Sequence, residues 1–365
     1  MVLSTTIQSA LLRHQQRIDD ALRHAVQSAH DEAATAFYGQ IRYHLGWVDD
    51  HFAPTKNNPG KLLRPTLLLL AYEAAGAAGL ATTSTTSDYL QRALPAAVAV
   101  ELTHNFTLIH DDIEDGDIER RHRATLWNIW GIPQAINTGD GLFALARLSL
   151  WNVLDEGVEG NIAAHLGATL DRACLILAEG QYLDISFEQR LDISVAMYID
   201  MISRKTAALM RAATTMGAML GTRDAEVIES LSRFGWAIGI AFQVRDDLLG
   251  IWASSETLGK TQAGDVYRRK KSLPILHALE HASEADTQFL RAAYQQTVPL
   301  TQEQVQAVLA IFERTQTRAY CRDFLAQQCQ NAYAALASVP QQEHSIAERA
   351  LHDMKMLVHF VEEAL

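Results

Sequence analysis

The sequence predicts an all-α protein, and three observations support this prediction. Apolar residues make up 48% of the 365 residues but aromatic residues only 7%, so Ala, Leu, Ile and Val dominate and favour closely packed helices. Apolar positions recur at helical spacing through most of the chain, without the alternation that marks a half-buried strand. No Pro-, Gly- or Ser-rich linker divides the chain. We therefore expect one domain over residues 1–365, a bundle of long helices around a central cavity.

The N-terminal part, near residues 5–50, has Leu and Ile at helical spacing and predicts two amphipathic helices. It lacks the unbroken apolar core of a signal peptide. Pro and Gly residues predict a loop over His51–Pro65. The longest apolar run, Leu67–Ala81, is interrupted by Glu73 and is too short to span a bilayer. We expect a cytoplasmic protein with no membrane span.

A polar connection at Gly79–Ser87 precedes a helix that should run from Asp88 to about Asp115, with a kink or a new start at Pro95. This helix is apolar nearly all round, which predicts burial. The same periodicity, with Gly or Asp breaks, predicts further helices. They span Gln134–Leu154, Asn161–Asp184, Val195–Gly221, Asp224–Ile251, Leu273–His281, Ala285–Gln296, Gln302–Arg314, Arg318–Ala337 and Ser345–Leu365.

Charge and cysteine content exclude some functions. The net charge of -12 argues against nucleic acid or an anionic membrane as a partner, because both attract basic surfaces. Cys174, Cys321 and Cys329 are odd in number and have no metal-ligand spacing, so we expect free thiols in a reducing compartment.

One stretch, ELTHNFTLIHDDIEDGDIERRHR, combines acidic and basic residues. On a helix, Asp111 and Asp115 lie four residues apart on one face with Asp112 beside them, so these carboxylates could share a divalent metal. Arg120 and Arg121 follow, and guanidinium groups bind phosphate. Together these groups suit a diphosphate. A solvated helix end of mixed charge is the alternative, because this acidic pattern is short and frequent.

Other charged residues lie near helix starts or within helices that should be buried. Lys61 and Arg64, three residues apart at a helix N-terminus, could bind an anion or serve only as solubilising charges. EGQYLD, RKT and FQVRDD are polar islands in apolar helices. Because unpartnered buried charge is costly, we expect these islands to share one polar cavity. Lys205, Lys260 and Lys270 would compensate the charge of a second acid cluster that includes Asp247.

These motifs together resemble those of the trans-isoprenyl diphosphate synthases, the polyprenyl synthetase family, over about Gly60–Pro274. GKLLRP resembles the family's GGKxxRP element, LIHDDIED its first aspartate-rich motif, RKT its Lys-Thr pair and FQVRDD the start of its second aspartate-rich motif. The resemblance implies a homodimeric, Mg²⁺-dependent enzyme. Such an enzyme joins isopentenyl diphosphate head to tail with an allylic diphosphate of the dimethylallyl, geranyl or farnesyl class.

The resemblance also implies a role for each matching residue. Mg²⁺ would be bound by Asp111, Asp112, Asp115 and Asp246, with support from Asp247 and Asp184. The allylic diphosphate would be bound by Arg120, Lys205, Thr206, Gln243 and Lys260, with Lys270 adding positive charge. Isopentenyl diphosphate would be bound by Lys61, Arg64, His104 and Arg121. For His104, a core histidine with satisfied hydrogen bonds is the alternative.

The sequence departs from the family pattern in three places. Gly250 stands where the family often has a third aspartate, so the second acid cluster is one carboxylate short. The usual RRGxPT continuation has His122 for Gly and Ala124 for Pro, and GGKxxRP has Pro59 for its first Gly. The principal cations are kept. We therefore expect catalysis, with an altered metal dependence as one consequence of Gly250.

Phe106, five residues before Asp111, predicts the product length. A growing tail in an apolar tunnel stops at the first large side chain, and Phe106 beside the small Thr107 resembles the archaeal-type geranylgeranyl synthases. We predict a twenty-carbon product, with fifteen-carbon farnesyl diphosphate as the next candidate. Core packing alone is the other explanation of Phe106. A class I terpene cyclase and a non-catalytic subunit of a heteromeric synthase remain alternative functions.

Overall fold

The computed structural model describes residues 12–55, 60–76, 89–188, 190–253, 263–340 and 345–363. Within these ranges nearly all regular structure is helical, and the one sheet is a two-stranded hairpin. The all-α prediction is confirmed. No helix in the described ranges is long and apolar enough to cross a membrane.

The helices before the long acidic motif and around it are α1 (Gln15–Ser28), α2 (Thr35–His44), α3 (Leu63–Ala74), α4 (Leu94–Glu114), α5 (Leu126–Trp130) and α6 (Ile132–Trp151). Strands β1 (Glu119–Arg120) and β2 (Arg123–Ala124) lie between α4 and α5. Short 3₁₀ helices cover Glu32–Ala34 and Tyr89–Arg92.

The later helices are α7 (Gly160–Phe187), α8 (Val195–Ile202), α9 (Ala208–Gly221), α10 (Ala225–Trp252), α11 (Gly264–Tyr267), α12 (Leu273–His281), α13 (Glu284–Gln295), α14 (Gln302–Arg314), α15 (Thr317–Ala337) and α16 (Ile346–Glu362). A π-helical turn, Ser203–Ala207, separates α8 from α9.

Two local features differ from the predictions. The segment Val195–Gly221, predicted as one helix, is divided by the π-helical turn. The β1–β2 hairpin was not predicted, because its two-residue loop is Arg121-His122 rather than a Gly-containing pair. Both loop residues have positive φ, 53° and 61°, the conformation that a type I′ hairpin turn requires and that non-Gly residues adopt at a cost.

The described residues form two compact units. Unit 1 contains Met1–Cys174, Ala212–Leu231 and Val339–Met354, and unit 2 contains Leu175–Arg211, Ser232–Ser338 and Lys355–Leu365. In each unit, helices bury a shared apolar core. The three cysteines are free thiols, as predicted; Cys321 and Cys329 are buried and Cys174 partly so.

Helix α4 lies at the centre of unit 1 and packs against α1, α3 and α6. Its first half is lined with fully buried small residues, including Ala96, Ala97 and Ala99. Small side chains let neighbouring helices approach closely, so burial of nearly the whole helix follows from its composition. The helix starts where the sequence predicts a break, with Pro95 in the first turn, where its missing N–H costs nothing. This packing fixes the C-terminal end of α4, which carries the acidic motif.

A buried ionic cluster joins the first described turn to α3 in unit 1. Glu73 is fully buried; its carboxylate accepts hydrogen bonds from Arg13 Nη2 at 2.5 Å and Tyr89 Oη at 2.6 Å. His14 Nε2 lies 3.3 Å from the same carboxylate, and Asp353 of α16 is 3.1 Å from Arg13. The interior carboxylate is therefore paired, as burial of a charge requires.

Candidate active site

The first acid cluster lies on the last turns of α4 in unit 1. Asp115 is exposed, Asp111 is partly exposed and Asp112 is only 2% exposed. The Arg120 Nε donates a hydrogen bond to Asp112 Oδ1 at 2.5 Å. Burial raises the pKa of Asp112 to about 6, although the neighbouring Arg120 charge acts to lower it. The carboxylate thus depends on positive charge to stay ionised at neutral pH.

The β1–β2 hairpin places Arg120 and Arg121 beside this cluster. Arg120 pairs with Arg123 in the antiparallel register. Arg123 anchors the hairpin, because its guanidinium donates to the backbone oxygens of Tyr43 at 2.8 Å and Val48 at 2.7 Å and lies 3.9 Å above the Tyr43 ring. These contacts hold the hairpin against the end of α2 and the segment after it. They therefore fix the backbone that carries Arg120 and Arg121.

A basic pocket lies next to the first acid cluster. Arg64 Nη1 donates to His104 Nε2 at 3.0 Å. Burial, followed by the charges of Arg64 and Arg121, lowers the pKa of His104 well below its usual value. His104 is therefore neutral and accepts a hydrogen bond that orients Arg64. Its predicted contact with isopentenyl diphosphate stays a prediction.

Gly60 lets a second guanidinium join this pocket. Its backbone has φ +107°, and an added Cβ would lie 2.9 Å from Arg121 Nη1. A side chain at position 60 would therefore be strained and would displace Arg121. The exposed Lys61 follows directly. Lys61 and Arg121, two of the four residues assigned to isopentenyl diphosphate, thus lie at this glycine, and the Arg121 charge also acts on Arg64.

Two residues of this pocket were not predicted as site residues. Glu101 is buried, accepts a hydrogen bond from Asn105 Nδ2 at 2.9 Å, and its charge acts on Arg64 and Arg121. His44 is neutral, because burial and the neighbouring arginines lower its pKa to about 3. A glutamate one turn before His104 on an apolar helix was the available signal for Glu101. His44 had no local signal, because its partners are distant in sequence.

Unsatisfied nitrogens indicate what this pocket lacks. Among the described residues, Arg64 Nε and His44 Nε2 are buried without a hydrogen-bond partner. Most buried polar atoms in proteins have a partner, so such exceptions mark places where a ligand or water completes the bonding. Arg64 Nε carries a hydrogen, so an acceptor, such as an anion or a water oxygen, would complete its bonding.

The second group of predicted site residues lies in unit 2, where the three polar islands meet. Lys205 Nζ forms an ion pair with Asp184 Oδ2 at 2.5 Å. Thr206 Oγ1 donates to Gln243 Oε1 at 3.1 Å. These contacts bring the three islands together, and the single polar cavity that the sequence predicts stays a prediction. Lys260 lies outside the described residues, so its assignment stays a prediction.

The π-helical turn that carries Lys205 and Thr206 depends on Gly180 of α7. A Cβ at Gly180 would lie 2.8 Å from the carbonyl carbon of Arg204 and would overlap the Lys205 backbone nitrogen. Only glycine permits this approach. The turn widens the helix locally, a distortion often found at functional sites, and the close contact with α7 holds it.

Asp247 is fully buried and acts as a hydrogen-bonding centre. Its carboxylate accepts from Tyr198 Oη, from Gln243 Nε2 at 3.2 Å, from Lys270 Nζ at 3.3 Å and from the Leu273 backbone N–H at 3.4 Å. This geometry makes Asp247 a positioning residue for Gln243 and Lys270. To bind magnesium, as the sequence predicts, the Asp247 carboxylate would have to lose some of these hydrogen bonds. By contrast, Asp246 is exposed on the same helix.

Lys270 has a half-exposed side chain and stays protonated. Burial of the amine opposes protonation, but Asp247 and Asp265 outweigh it and raise the pKa of Lys270. The cation is thus available at every physiological pH as a fixed positive charge in unit 2.

Mg²⁺ fits the donor chemistry of the first acid cluster. Asp111 and Asp115 present carboxylate oxygens on one helical face, and Mg²⁺ prefers such oxygens together with water and substrate phosphates. Over the described part of the chain, no group of three or more His, Cys, Asp or Glu side chains is arranged to hold a metal ion by itself. The pairing of Asp111 with Asp246 across a metal stays a prediction.

Phe106 lies on α4 and packs against aromatic neighbours. Its ring is 5.2 Å from the Phe143 ring of α6 and 5.8 Å from the His110 ring, edge to face in both cases. Thr107 is buried and donates to the His104 backbone oxygen at 2.8 Å. These contacts restrict the movement of the Phe106 ring between α4 and α6. Such a restricted ring is expected both at the floor of a tunnel and in ordinary core packing.

Comparison with known proteins decides the family. The family model described as polyprenyl synthetase matches residues 46–312. The chain belongs to the polyprenyl synthetase family. The structure of a polyprenyl synthetase from Streptomyces coelicolor matches 97% of this chain and 99% of its own, with a TM-score of 0.83 and 33% identity. Geranylgeranyl pyrophosphate synthetase from Pyrococcus horikoshii gives a TM-score of 0.84 at 29% identity, covering 99% of both chains. The fold is thus the all-α isoprenoid synthase fold.

Curated relatives carry two different product names. A (2E,6E)-farnesyl diphosphate synthase of Mycobacterium tuberculosis is 41% identical over 245 residues, 67% of this chain. The match spans only 64% of that protein's length. A geranylgeranyl diphosphate synthase of the same species is 36% identical over 321 residues, 87% of this chain and 85% of that protein. These names are those of the relatives.

Proposed function

We propose that this polyprenyl synthetase family member condenses isopentenyl diphosphate with an allylic diphosphate and releases geranylgeranyl diphosphate. The observation that carries the proposal is the basic pocket of Lys61, Arg64 and Arg121 beside the first acid cluster. A diphosphate that stays attached to its carbon chain needs such a pocket separate from the metal-binding carboxylates. Since the family model runs through parts of both units, we also propose that they build one catalytic domain.

The reaction follows from the roles of these groups. The allylic C–O bond breaks and its electron pair leaves with pyrophosphate, whose negative charge Arg120, Lys205 and Lys270 stabilise. The double bond of isopentenyl diphosphate, held by Arg64 and Arg121, then attacks the allylic cation and forms the new C–C bond. A proton is lost to the departed pyrophosphate. Mg²⁺ bound by the aspartates would supply Lewis-acid stabilisation of the leaving group.

His104 and Glu101 prepare the basic pocket rather than react. His104 is neutral, so it orients Arg64 without adding repulsion between cations. The buried Glu101 offsets the charge of Arg64 and Arg121 while no anion is bound. Pre-oriented donors need no reorganisation when the diphosphate arrives, which is the main source of electrostatic catalysis.

Two alternatives make different predictions. A class I terpene cyclase would convert geranylgeranyl diphosphate alone to hydrocarbon and would not need the basic pocket. A non-catalytic subunit would make no product without a partner. The test is incubation of the purified chain with geranylgeranyl diphosphate alone and with isopentenyl diphosphate plus farnesyl diphosphate, each with and without Mg²⁺. Product only in the second mixture, and only with Mg²⁺, supports the proposal.

We also propose that the chain forms a homodimer through α6. This helix exposes five large apolar side chains. Ile132, Ile136 and Phe143 lie on one face at helical spacing, and Leu148, which is 63% exposed, and Trp151 lie further round the helix. Several exposed large apolar side chains on one helix are typical of an interface. Light scattering of Leu148→Glu should then give a monomer, whereas Val298→Glu, a change at an equally exposed residue of unit 2 (62%), should leave the dimer intact.

A further inference from the structure

A groove of about 480 Å³ lies within unit 2, where α9, α10 and α15 meet. Its volume is in the range of about 300–1,000 Å³ that is usual for small-molecule sites. None of the predicted site residues is among the described residues that line it. Its polar and aromatic lining consists of Arg211, Arg233, Trp236, Gln328, Asn331 and Ser338. The groove is therefore separate from the proposed active site.

This groove is basic, although the chain as a whole has a net charge of -12. Arg211 of α9 and Arg233 of α10 line it, and no acidic residue does so in the described part of the chain. Arg211 Nε donates a hydrogen bond to Ser232 Oγ at 2.8 Å. Ser232 is only 3% exposed, so a buried hydroxyl orients this guanidinium. Two guanidinium groups at one groove suit a phosphate group, because each can donate two parallel hydrogen bonds to its oxygens.

Trp236 adds an aromatic surface beside the two arginines. The Arg211 Cζ lies 5.6 Å from the centroid of the Trp236 ring. Trp236 follows Arg233 by three residues and so lies on the same face of α10. Its side chain is partly exposed and lines the groove. Aromatic side chains bind planar bases by stacking, so the groove combines a stacking surface with phosphate-binding cations.

The α15 side of the groove presents two amides. Gln328 and Asn331 are three residues apart and therefore lie on one face of this helix. Each amide has both hydrogen-bond donors and an acceptor, which are the groups that match the edge of a nucleobase. A hydrocarbon tail in the groove would cover these amides without bonding them, at a cost in free energy. The lining therefore favours a polar planar ring over an apolar chain.

We propose that this groove binds a mononucleotide. Its phosphate contacts Arg211 and Arg233, and its base stacks on the Trp236 indole. Gln328 and Asn331 hydrogen-bond the edge of the base. The inference goes beyond the proposed function and does not depend on it, because none of these residues has a role in prenyl transfer.

The groove adjoins the π-helical turn Ser203–Ala207. Arg211 is on α9, the helix that directly follows this turn. Gly239 of α10, three residues after Trp236, packs against the turn so closely that an added Cβ would lie 2.6 Å from the Cα of Ala207. A nucleotide that contacts both α9 and α10 links the two helices beside this contact. Its binding should therefore slow amide hydrogen exchange in the turn as well as in the groove.

Isothermal titration calorimetry with AMP and with GMP tests the site. Divalent metal is left out, so that binding at the acid clusters does not contribute. Wild type should bind at least one of the two nucleotides at a single site with a Kd below about 1 mM. Arg211→Gln and Arg233→Gln should each weaken this binding roughly tenfold, as expected for loss of a charge-assisted contact. Trp236→Leu should weaken it roughly tenfold through loss of stacking.

Two controls locate the ligand and identify its recognised parts. Arg314→Gln removes the same charge from another exposed arginine of unit 2, whose side chain is 56% exposed and pairs with Asp286; it should bind the nucleotide as wild type does. Ribose 5-phosphate, which lacks the base, should bind wild type roughly tenfold more weakly than the nucleotide. Hydrogen exchange with and without the nucleotide should show protection in α9, in α15 and in the π-helical turn.

The inference is wrong if neither nucleotide binds, if both arginine variants keep wild-type affinity, or if protection appears only in unit 1. Equal affinity for ribose 5-phosphate would also overturn it, because the base would then make no contact. Arg211 and Arg233 are exposed, so their variants should fold and keep the test decisive even if Trp236→Leu does not. An active prenyltransferase that fails these tests would refute this inference alone, whereas an inactive chain that passes them would refute only the proposed function.

Discussion

Replacement of Phe106 by Ala should lengthen the product by one isoprene unit. Phe106 is five residues before Asp111, about 7.5 Å along the helix axis at the α-helical rise. The next side chain on this face is Leu102, which is fully buried and lies about one turn, roughly 5.4 Å, deeper. One turn is comparable to the length of an extended isoprene unit. Growth should therefore stop at twenty-five carbons instead of twenty.

The energetic cost of the same change can be bounded from its contacts. Truncation of a completely buried phenylalanine to Ala lowers the free energy of unfolding by about 3–5 kcal/mol. Phe106 is only partly buried, and part of its packing is the edge-to-face contact with Phe143 at 5.2 Å. We expect about 2 kcal/mol, a loss that a family member of this size should tolerate. Activity should persist, so product length can be measured.

The assay is mass analysis of dephosphorylated products after incubation with isopentenyl diphosphate and farnesyl diphosphate. Phe37→Ala is the matched control, because it removes the same ring from α2, next to Gly141 of α6, and not from α4, which carries the acidic motif. Its products should match those of wild type. An unchanged product distribution in Phe106→Ala would show that Phe106 is ordinary core packing and that another residue stops the chain.

Three further predictions concern stability and pH. Glu73→Ala removes the buried carboxylate that Arg13 contacts at 2.5 Å, so that Arg13 keeps only Asp353 at 3.1 Å. It should lower the free energy of unfolding by about 3 kcal/mol in urea titration, and an effect below about 1 kcal/mol would contradict this. His122→Gly should raise the free energy of unfolding by about 1 kcal/mol, because His122 has φ 61° and a fully exposed side chain, while His122→Ala should give no gain. For Asp112, whose pKa burial raises to about 6, kcat/KM at limiting Mg²⁺ should fall as pH drops below about 6, since protons and metal compete for the carboxylate. Saturating Mg²⁺ should move this fall to lower pH. A pH profile that is the same at limiting and saturating Mg²⁺ would disprove that Asp112 binds the metal.

Helix positions could largely be predicted because local signals set them. Leu273–His281 and Gln302–Arg314 have the predicted bounds. In the second case Thr301 and Gln304 form a capping box that fixes the start. The restart near Pro95 was likewise visible, because proline is tolerated in the first turn and breaks a helix interior.

Features that depend on tertiary contacts could not be predicted. The π-helical turn at Ser203–Ala207 requires the close approach of Gly180 from another helix. The hairpin adopts a turn that the Arg121-His122 pair disfavours, so other contacts, such as those of Arg123, must outweigh local preference.

The site was predicted at the level of charge pairing but not of geometry. The cost of unpartnered buried charge predicted that the polar islands lie together, and Lys205 contacts Asp184 and Thr206 contacts Gln243. It could not show that Asp247 is surrounded by donors. Nor could it show that Asp265 lies beside Gly250, because the two residues are distant in sequence.

The product mass tests the central claim most directly. Purified chain should convert isopentenyl diphosphate and each of the dimethylallyl, geranyl and farnesyl primers to geranylgeranyl diphosphate when Mg²⁺ is present, and to nothing when it is chelated. A hydrocarbon product, a fifteen-carbon end product, or turnover that persists without divalent metal would contradict the account.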